Sequence, residues 1–296
     1  MFRNLSSSAL GISGRQSEII ELSLSFGFKG IDIDIVDFQE QVKTYGLPHA
    51  RRLIDSARLK FGVFRLPLVW DEDDDAYKNG LPALDELTAL AAELGLTRAV
   101  TAISPANDLR PYHENFEFHR RRLAEIGQRL GEKKIRLGLE FRTDAEIRKN
   151  RAFQFIHAFD ALATLVGMIR SPHVGVVADL FELYAAGSSF DEVRKLGGDK
   201  VIALIASDAP TGKQPADCTE ADRMLPGENG TIDVAAALVA LAEMGFEGPI
   251  TPAISAAQAK GMKREQLVKT AGERLTQAWT AAGLSASGKL SAVAKK

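Results

Sequence analysis

The chain of 296 residues has a single cysteine, Cys218, which excludes a disulfide framework and any cysteine-built zinc site. Cys218 sits in the polar stretch 213–222 without an activating neighbour in sequence and is read as incidental. An excess of one charge is missing too. The 37 Lys and Arg are balanced by 39 Asp and Glu, and the basic residues are dispersed, so nucleic acid is not expected as a partner. No window approaches the ~18 apolar residues of a membrane span, and no apolar core follows Arg3 at the N-terminus. No membrane partner is expected, and the protein is expected in the cytoplasm. A Gly-rich phosphate fingerprint is absent, which weighs against a dinucleotide fold. Histidines are few: His49, His113, His119, His157 and His173, none of them at the C-terminal end of a stretch that reads as a strand.

What the chain does have is apolar runs that end on an acid. In 134–142, Leu137 and Leu139 alternate with Arg136, Gly138 and Glu140, so one face is apolar while the other is small in the middle and charged at both ends. Such a strand delivers Glu140 to its C-terminal rim, where parallel α/β folds bind ligands. The runs 172–179 and 201–208 end likewise on Asp179 and Asp208, and the unbroken apolar character of the second suits a strand buried on both faces. Residues 30–35 alternate strictly, with Ile31, Ile33 and Ile35 on one side and Asp32 and Asp34 on the other. In a barrel both carboxylates would point inward, which needs a cation or Arg136 as compensation.

Further strands are expected over 2–10, 60–68, 97–102 and 248–254. Helices are expected from the 13–16 capping box to Gly27, near 47–57, through the Leu84–Leu94 and Phe116–Leu130 stripes, and over 152–168, 232–244 and 262–282. The acidic run 71–75 reads as a solvated loop, and Arg120, Arg121 and Arg122 as a solvated helix face. Four helix-to-strand joints, opening at Gly27, Gly95, Gly131 and Gly245, use a glycine C-cap and re-enter a strand within about five residues. About eight such units predict an α/β chain folded as one (β/α)8 TIM barrel over 1–284. Residues 285–296, small, polar and basic, are expected to form a flexible tail.

Taken together, the fragments 27–32, 137–140, 174–179 and 225–230, in this order and spacing, resemble the sugar phosphate isomerases and epimerases with a xylose isomerase-like barrel. The resemblance implies one divalent ion at the barrel mouth, held by Glu, Asp, His and Glu from strands five to eight, with glutamates moving protons beside a sugar carbonyl. Glu140 matches the first ligand and Asp179 the second. Ile205 stands where the histidine would be and Ala253 where the last glutamate would be. Glu182 replaces a usual histidine, and Arg65 stands where a histidine is often found. Two carboxylates alone hold a hard cation weakly. The expectation is therefore no tightly bound cofactor, with Mn, Mg or Co held weakly at most by Glu140 and Asp179, and Glu182 or Asp208 as replacement ligands.

Two functions follow. The first is a carbohydrate isomerase or epimerase with Glu140 and Asp179 as catalytic carboxyls and Arg65, Arg142, Asp208 and Arg223 holding a sugar-like substrate. In it, repulsion between the two acids is relieved by an arginine such as Arg142 or by protonating one of them. The alternative is a non-catalytic carbohydrate-binding or scaffold protein that retains the barrel. The abasic-site nucleases of the same superfamily are disfavoured, since their zinc cluster needs several strand-end histidines.

Overall fold

The computed structural model describes residues 1–291. Its chain runs β1 (Phe2–Leu5), α1 (Gln16–Ser25), β2 (Gly30–Ile31), α2 (Ile35–Tyr45), α3 (Leu47–Ala57), β3 (Lys60–Phe61), β4 (Phe64–Arg65), α4 (Asp74–Leu94), β5 (Arg98–Ala102), β6 (Ala106–Asn107) and α5 (Tyr112–Glu132). It continues through β7 (Arg136–Glu140), α6 (Ala145–Arg148), β8 (Phe153–Gln154), α7 (Phe159–Ile169), β9 (Val174–Asp179), α8 (Leu180–Ala185), α9 (Phe190–Leu196), β10 (Val201–Ala206), α10 (Val234–Glu243), β11 (Pro249–Pro252) and α11 (Arg264–Ala281).

The main sheet has the order β3-β2-β1-β11-β10-β9-β7-β5-β4, and its pairings are parallel. Its two ends, β3 and β4, are halves of one strand separated only by Gly62 and Val63, so the chain itself closes the ring and the expected TIM barrel results. The interruption has a local cause. The Asp32 carboxylate accepts the Val63 N–H at 2.8 Å, taking a donor that a ladder bond would otherwise use, and Asn4 reaches the same oxygen at 2.8 Å. A side chain at Gly62 would collide with both Asp32 and Asn4.

Alternation sets the two faces of β7. Leu137 and Leu139 have no exposed surface, and burying each contributes on the order of 2 kcal/mol. Gly138 faces the barrel interior with Glu140, and a Cβ there would sit 2.9 Å from Val177 and 3.0 Å from Ile202. The strand is small in its middle because neighbouring strands already fill that space.

Several expectations are corrected. The 30–35 alternation yields only two strand residues, because Asp34 caps α2, accepting from Val36 N at 3.0 Å and Asp37 N at 3.2 Å. Asp34 is exposed, and of the two aspartates only Asp32 is half-buried at the barrel's upper rim. Arg136 compensates neither, since it starts β7 and donates to the Asp199 carbonyl. The helix expected from 152 begins at Phe159. Residues before it form β8, antiparallel to β6. The acidic run is partly helical: Asp73 accepts from Asp75 N and Ala76 N and opens α4. Arg122 is buried rather than solvated. It donates to the Trp70 and Glu72 carbonyls and to Asp74 and lies over the Phe118 ring, tying α5 to the loop after β4. Residues 285–291 form a turn closed by Ser285 N to Lys289 O at 2.8 Å, with Trp279 Nε1 donating to the Ser285 carbonyl at 2.8 Å. The remainder of the expected tail, 292–296, lies outside the described residues. Among the described residues no helix is long and apolar enough to cross a membrane.

Candidate active site at the barrel mouth

A cavity of about 760 Å³ opens at the C-terminal ends of the barrel strands, lined among others by Asp32, Arg65, Glu140, Arg142, Asp179, Ile205, Arg223 and Ala253. Register places the acids. Leu139 pairs with Val176, so Glu140 and Asp179 stand on adjacent strands with Asp179 two residues further along. Ile205 is the register partner of Asp179 on the other side. Ala253 continues β11, its N–H donating to the Ala206 carbonyl at 3.0 Å.

Two guanidiniums organise these acids. Arg223 is delivered by the loop between β10 and α10 and keeps 3% of its side chain exposed. Its Nη1 donates to Asp179 Oδ1 at 2.8 Å and to Ser207 Oγ at 3.3 Å, its Nη2 to Glu182 Oε1 at 3.3 Å, and its Nε to the Glu220 carboxylate at 2.8 and 2.9 Å. Arg142, two residues past the end of β7, places Nη2 at 3.2 Å from Glu140 Oε2 and Nη1 at 3.4 Å from Glu182 Oε1. Glu182 Oε2 accepts from both the backbone N–H and the hydroxyl of Thr143 at 2.7 Å each. Glu182 thus joins both arginines and anchors the segment after β7 to α8.

This arrangement separates the titration of neighbouring carboxyls. Burial raises Glu140, Arg142 lowers it and Asp179 raises it again, and its carboxyl comes to rest at about 7. Burial also acts on Asp179, but the charge and hydrogen bonds of Arg223, with Arg142 adding to them, outweigh it and hold this carboxyl below its ordinary value. Glu182 is raised by burial and by Asp179. Both Glu140 Oε1 and Asp179 Oδ2 are buried without a hydrogen-bond partner. A carboxyl near neutrality with a free oxygen, beside a fixed carboxylate and a cation, can exchange a proton with a bound carbon acid.

The sequence-predicted residues separate into two groups. Glu140, Asp179, Arg142, Arg223 and Glu182 come together, and Arg65 stands exposed on the cavity wall. Asp208 lies outside the cluster, fully buried, its oxygens accepting backbone N–H groups of Ala209, Asn229, Gly230 and Ile232 at 2.7–2.9 Å. It shapes the loop that carries Arg223 and lines no part of the cavity. Sequence reasoning missed Glu220, three residues before Arg223 in a short helical turn. It also missed Thr143, Ser207 and, across the mouth, Asn4, which donates to Asp32, and Thr251, which accepts from Asn4. The only sequence signal for these was the i, i+3 spacing of Glu220 and Arg223.

A family model described as xylose isomerase-like TIM barrel matches residues 20–278. An inosose isomerase of Bacillus velezensis is 24% identical over 263 residues, covering 86% of this chain and 88% of that protein. Among solved structures, a xylose isomerase domain protein from Alicyclobacillus acidocaldarius superposes with a TM-score of 0.85 at 22% identity, over 95% of this chain and 99% of that one. The IOLI protein with a binding zinc atom superposes with a TM-score of 0.77 at 18% identity, over 96% and 98%.

The residues here do not fit such an ion. Ile205, beside Asp179, and Ala253 bring no donor atom to the cavity, and Glu140 and Asp179 each already face a guanidinium. Among the described residues no group of three or more His, Cys, Asp or Glu is arranged to hold a metal. The family model spanning residues 20–278, with a barrel that superposes over nearly the whole chain, makes this protein a member of the xylose isomerase-like TIM barrel family.

Proposed function

We propose that the protein is an isomerase or epimerase of a polyhydroxy ketone, such as an inosose, a ketose or its phosphate, with Glu140 as the proton-transfer group. The observation that carries this reading is the buried Glu140 carboxyl, poised at about 7, with Oε1 unbonded on a cavity wall. Ionised Glu140 takes the proton from the carbon beside the carbonyl, the C–H electron pair forms the carbon–carbon double bond, and the carbonyl oxygen becomes an enolate oxygen. Protonation of the same carbon on its other face, by water or a second acid, gives the epimer. Delivery of the Glu140 proton to the former carbonyl carbon, while the enolate oxygen gains a proton and the neighbouring hydroxyl loses one to become the new carbonyl, gives the isomer. Arg142, next to Glu140, supplies positive charge where the oxygen gains electrons. Burial, with the charge of Asp179 held ionised by Arg223 adding to it, raises Glu140 enough to make it basic near neutrality. Arg65 on the open side suits the hydroxyls or phosphate of the remote end.

Similarity to an inosose isomerase supports the substrate class, and the pairing of Glu140 and Asp179 with guanidiniums, with Ile205 and Ala253 beside them on the cavity wall, supports the absence of a tightly bound divalent ion. The test is a panel of inososes, ketoses and ketose phosphates incubated with the protein in heavy water, with deuterium incorporation beside the carbonyl read by NMR. Exchange on at least one polyhydroxy ketone is the expected result. Binding without exchange across the panel would replace this reading with that of a carbohydrate-binding barrel.

A further inference from the structure

We infer that the Arg223 guanidinium is the permanent cation of this site, taking over the charge-neutralising work that a divalent ion would otherwise do, and that Arg142 beside it is the group that receives the substrate oxygen. The inference rests on the proposed function for the substrate's oxygen but not for the cation itself.

Arg223 commits Nε to Glu220, Nη1 to Asp179 and Ser207, and Nη2 to Glu182. It also packs over the Phe181 ring, 4.7 Å from its centre, so little of its donor capacity is left for a ligand. It joins β9, β10 and α8 as a multidentate ion would, with a planar fork in place of a coordination sphere. Ile205, the register neighbour of Asp179, fills adjacent space with carbon. Arg142 is less enclosed, with 30% of its side chain exposed. It spends Nη1 on Glu182 and Nη2 on Glu140, leaving further N–H groups at the cavity wall. A divalent ion added between Glu140 and Asp179 would meet two fixed positive charges, so the arginines both substitute for it and exclude it.

In these terms Arg142 is a catalytic residue and Arg223 a positioning residue. The two arms of the test read them separately. The first uses Mn²⁺ alone as probe, without substrate, followed by electron paramagnetic resonance and calorimetry on the purified chain. Wild type is expected to show no saturable Mn²⁺ binding. Arg223→Ala, which leaves Asp179, Glu182, Glu220 and Glu140 without that charge, is expected to gain one Mn²⁺ per chain and to be stabilised by it against heat. Stoichiometric Mn²⁺ in wild type, lost in Glu140→Gln, would overturn the inference even if exchange activity is found. Because Arg223→Ala can fail to fold, the wild-type titration decides the first arm alone, and Arg223→Lys provides a folded comparison with one cation and no fork.

The second arm measures exchange on the responsive ketone. The rate should be unchanged by EDTA, and Arg142→Met should lower kcat by about 10²- to 10³-fold. Arg223→Lys should shift the acid limb of the pH–rate profile to higher pH, since Asp179 is then less well neutralised and raises Glu140 further. An EDTA-sensitive rate, or an Arg142→Met variant with full kcat, would contradict the assignment.

Discussion

Replacing Arg223 by methionine keeps the stem of the side chain and removes its charge, and the consequences can be worked out partner by partner. Glu220 is largely exposed and returns to water at little cost. Glu182 keeps Thr143 and Arg142. The burden falls on Asp179, with 1% of its side chain exposed, whose remaining partners are the Phe181 and Glu182 N–H groups. Breaking a buried pair by removing one member costs about 3–5 kcal/mol. The loss should depend on pH. Asp179 has a folded pKa below its unfolded value, so it contributes stability above the unfolded pKa that disappears as pH falls through the folded one. Urea unfolding of wild type and Arg223→Met should therefore differ by about 3–5 kcal/mol near neutrality and by less once the pH is taken below the ordinary carboxylate value of 3.8. Pairing the change with Asp179→Asn should recover part of the loss, since the orphaned charge is gone. A difference under about 1 kcal/mol, equal at both pH values, would show that Arg223 does not neutralise Asp179.

Glu140 predicts the opposite sign. Its carboxyl stands at about 7 folded against an ordinary 4.5, so the folded state holds a proton that the unfolded chain has released between these values, and stability falls as pH rises through that window by roughly 3 kcal/mol. Glu140→Gln should abolish this decline and be the more stable protein above neutrality, as read from urea midpoints against pH. The exchange rate of wild type should rise with pH along an acid limb at about 7, a value belonging to the coupled acids rather than to Glu140 alone. Gly62→Ala should force Asn4 and Asp32 apart at the closure of the ring, costing about 1–3 kcal/mol in thermal or urea unfolding.

The barrel was legible because its strands alternate or run apolar into an acid and its helices end on glycine, so Glu140 and Asp179 could be placed on neighbouring strand ends from spacing alone. The same rules failed where two local preferences competed. At residues 30–35 the alternation was genuine, yet Asp34 is a better helix cap than strand residue. Arg120 to Arg122 looked like one polar face, but helical rotation turns Arg122 inward while its neighbours stay partly or fully exposed. Asp208 ends its run as Asp179 does, and only the path of the following loop decides that its carboxylate is used by backbone N–H groups. That loop also delivers Arg223 and Glu220. Loops carry no periodicity, so the cation at the centre of the site could be named as a candidate but not aimed.

The most direct test of the account is the rate of deuterium incorporation beside the carbonyl of the responsive ketone, compared between wild type and Glu140→Gln at equal folded concentration. The carboxamide keeps the shape of the side chain and removes its basicity. The account predicts that exchange falls by about 10²- to 10⁴-fold while ketone binding persists; exchange undiminished in a folded Glu140→Gln protein would contradict it.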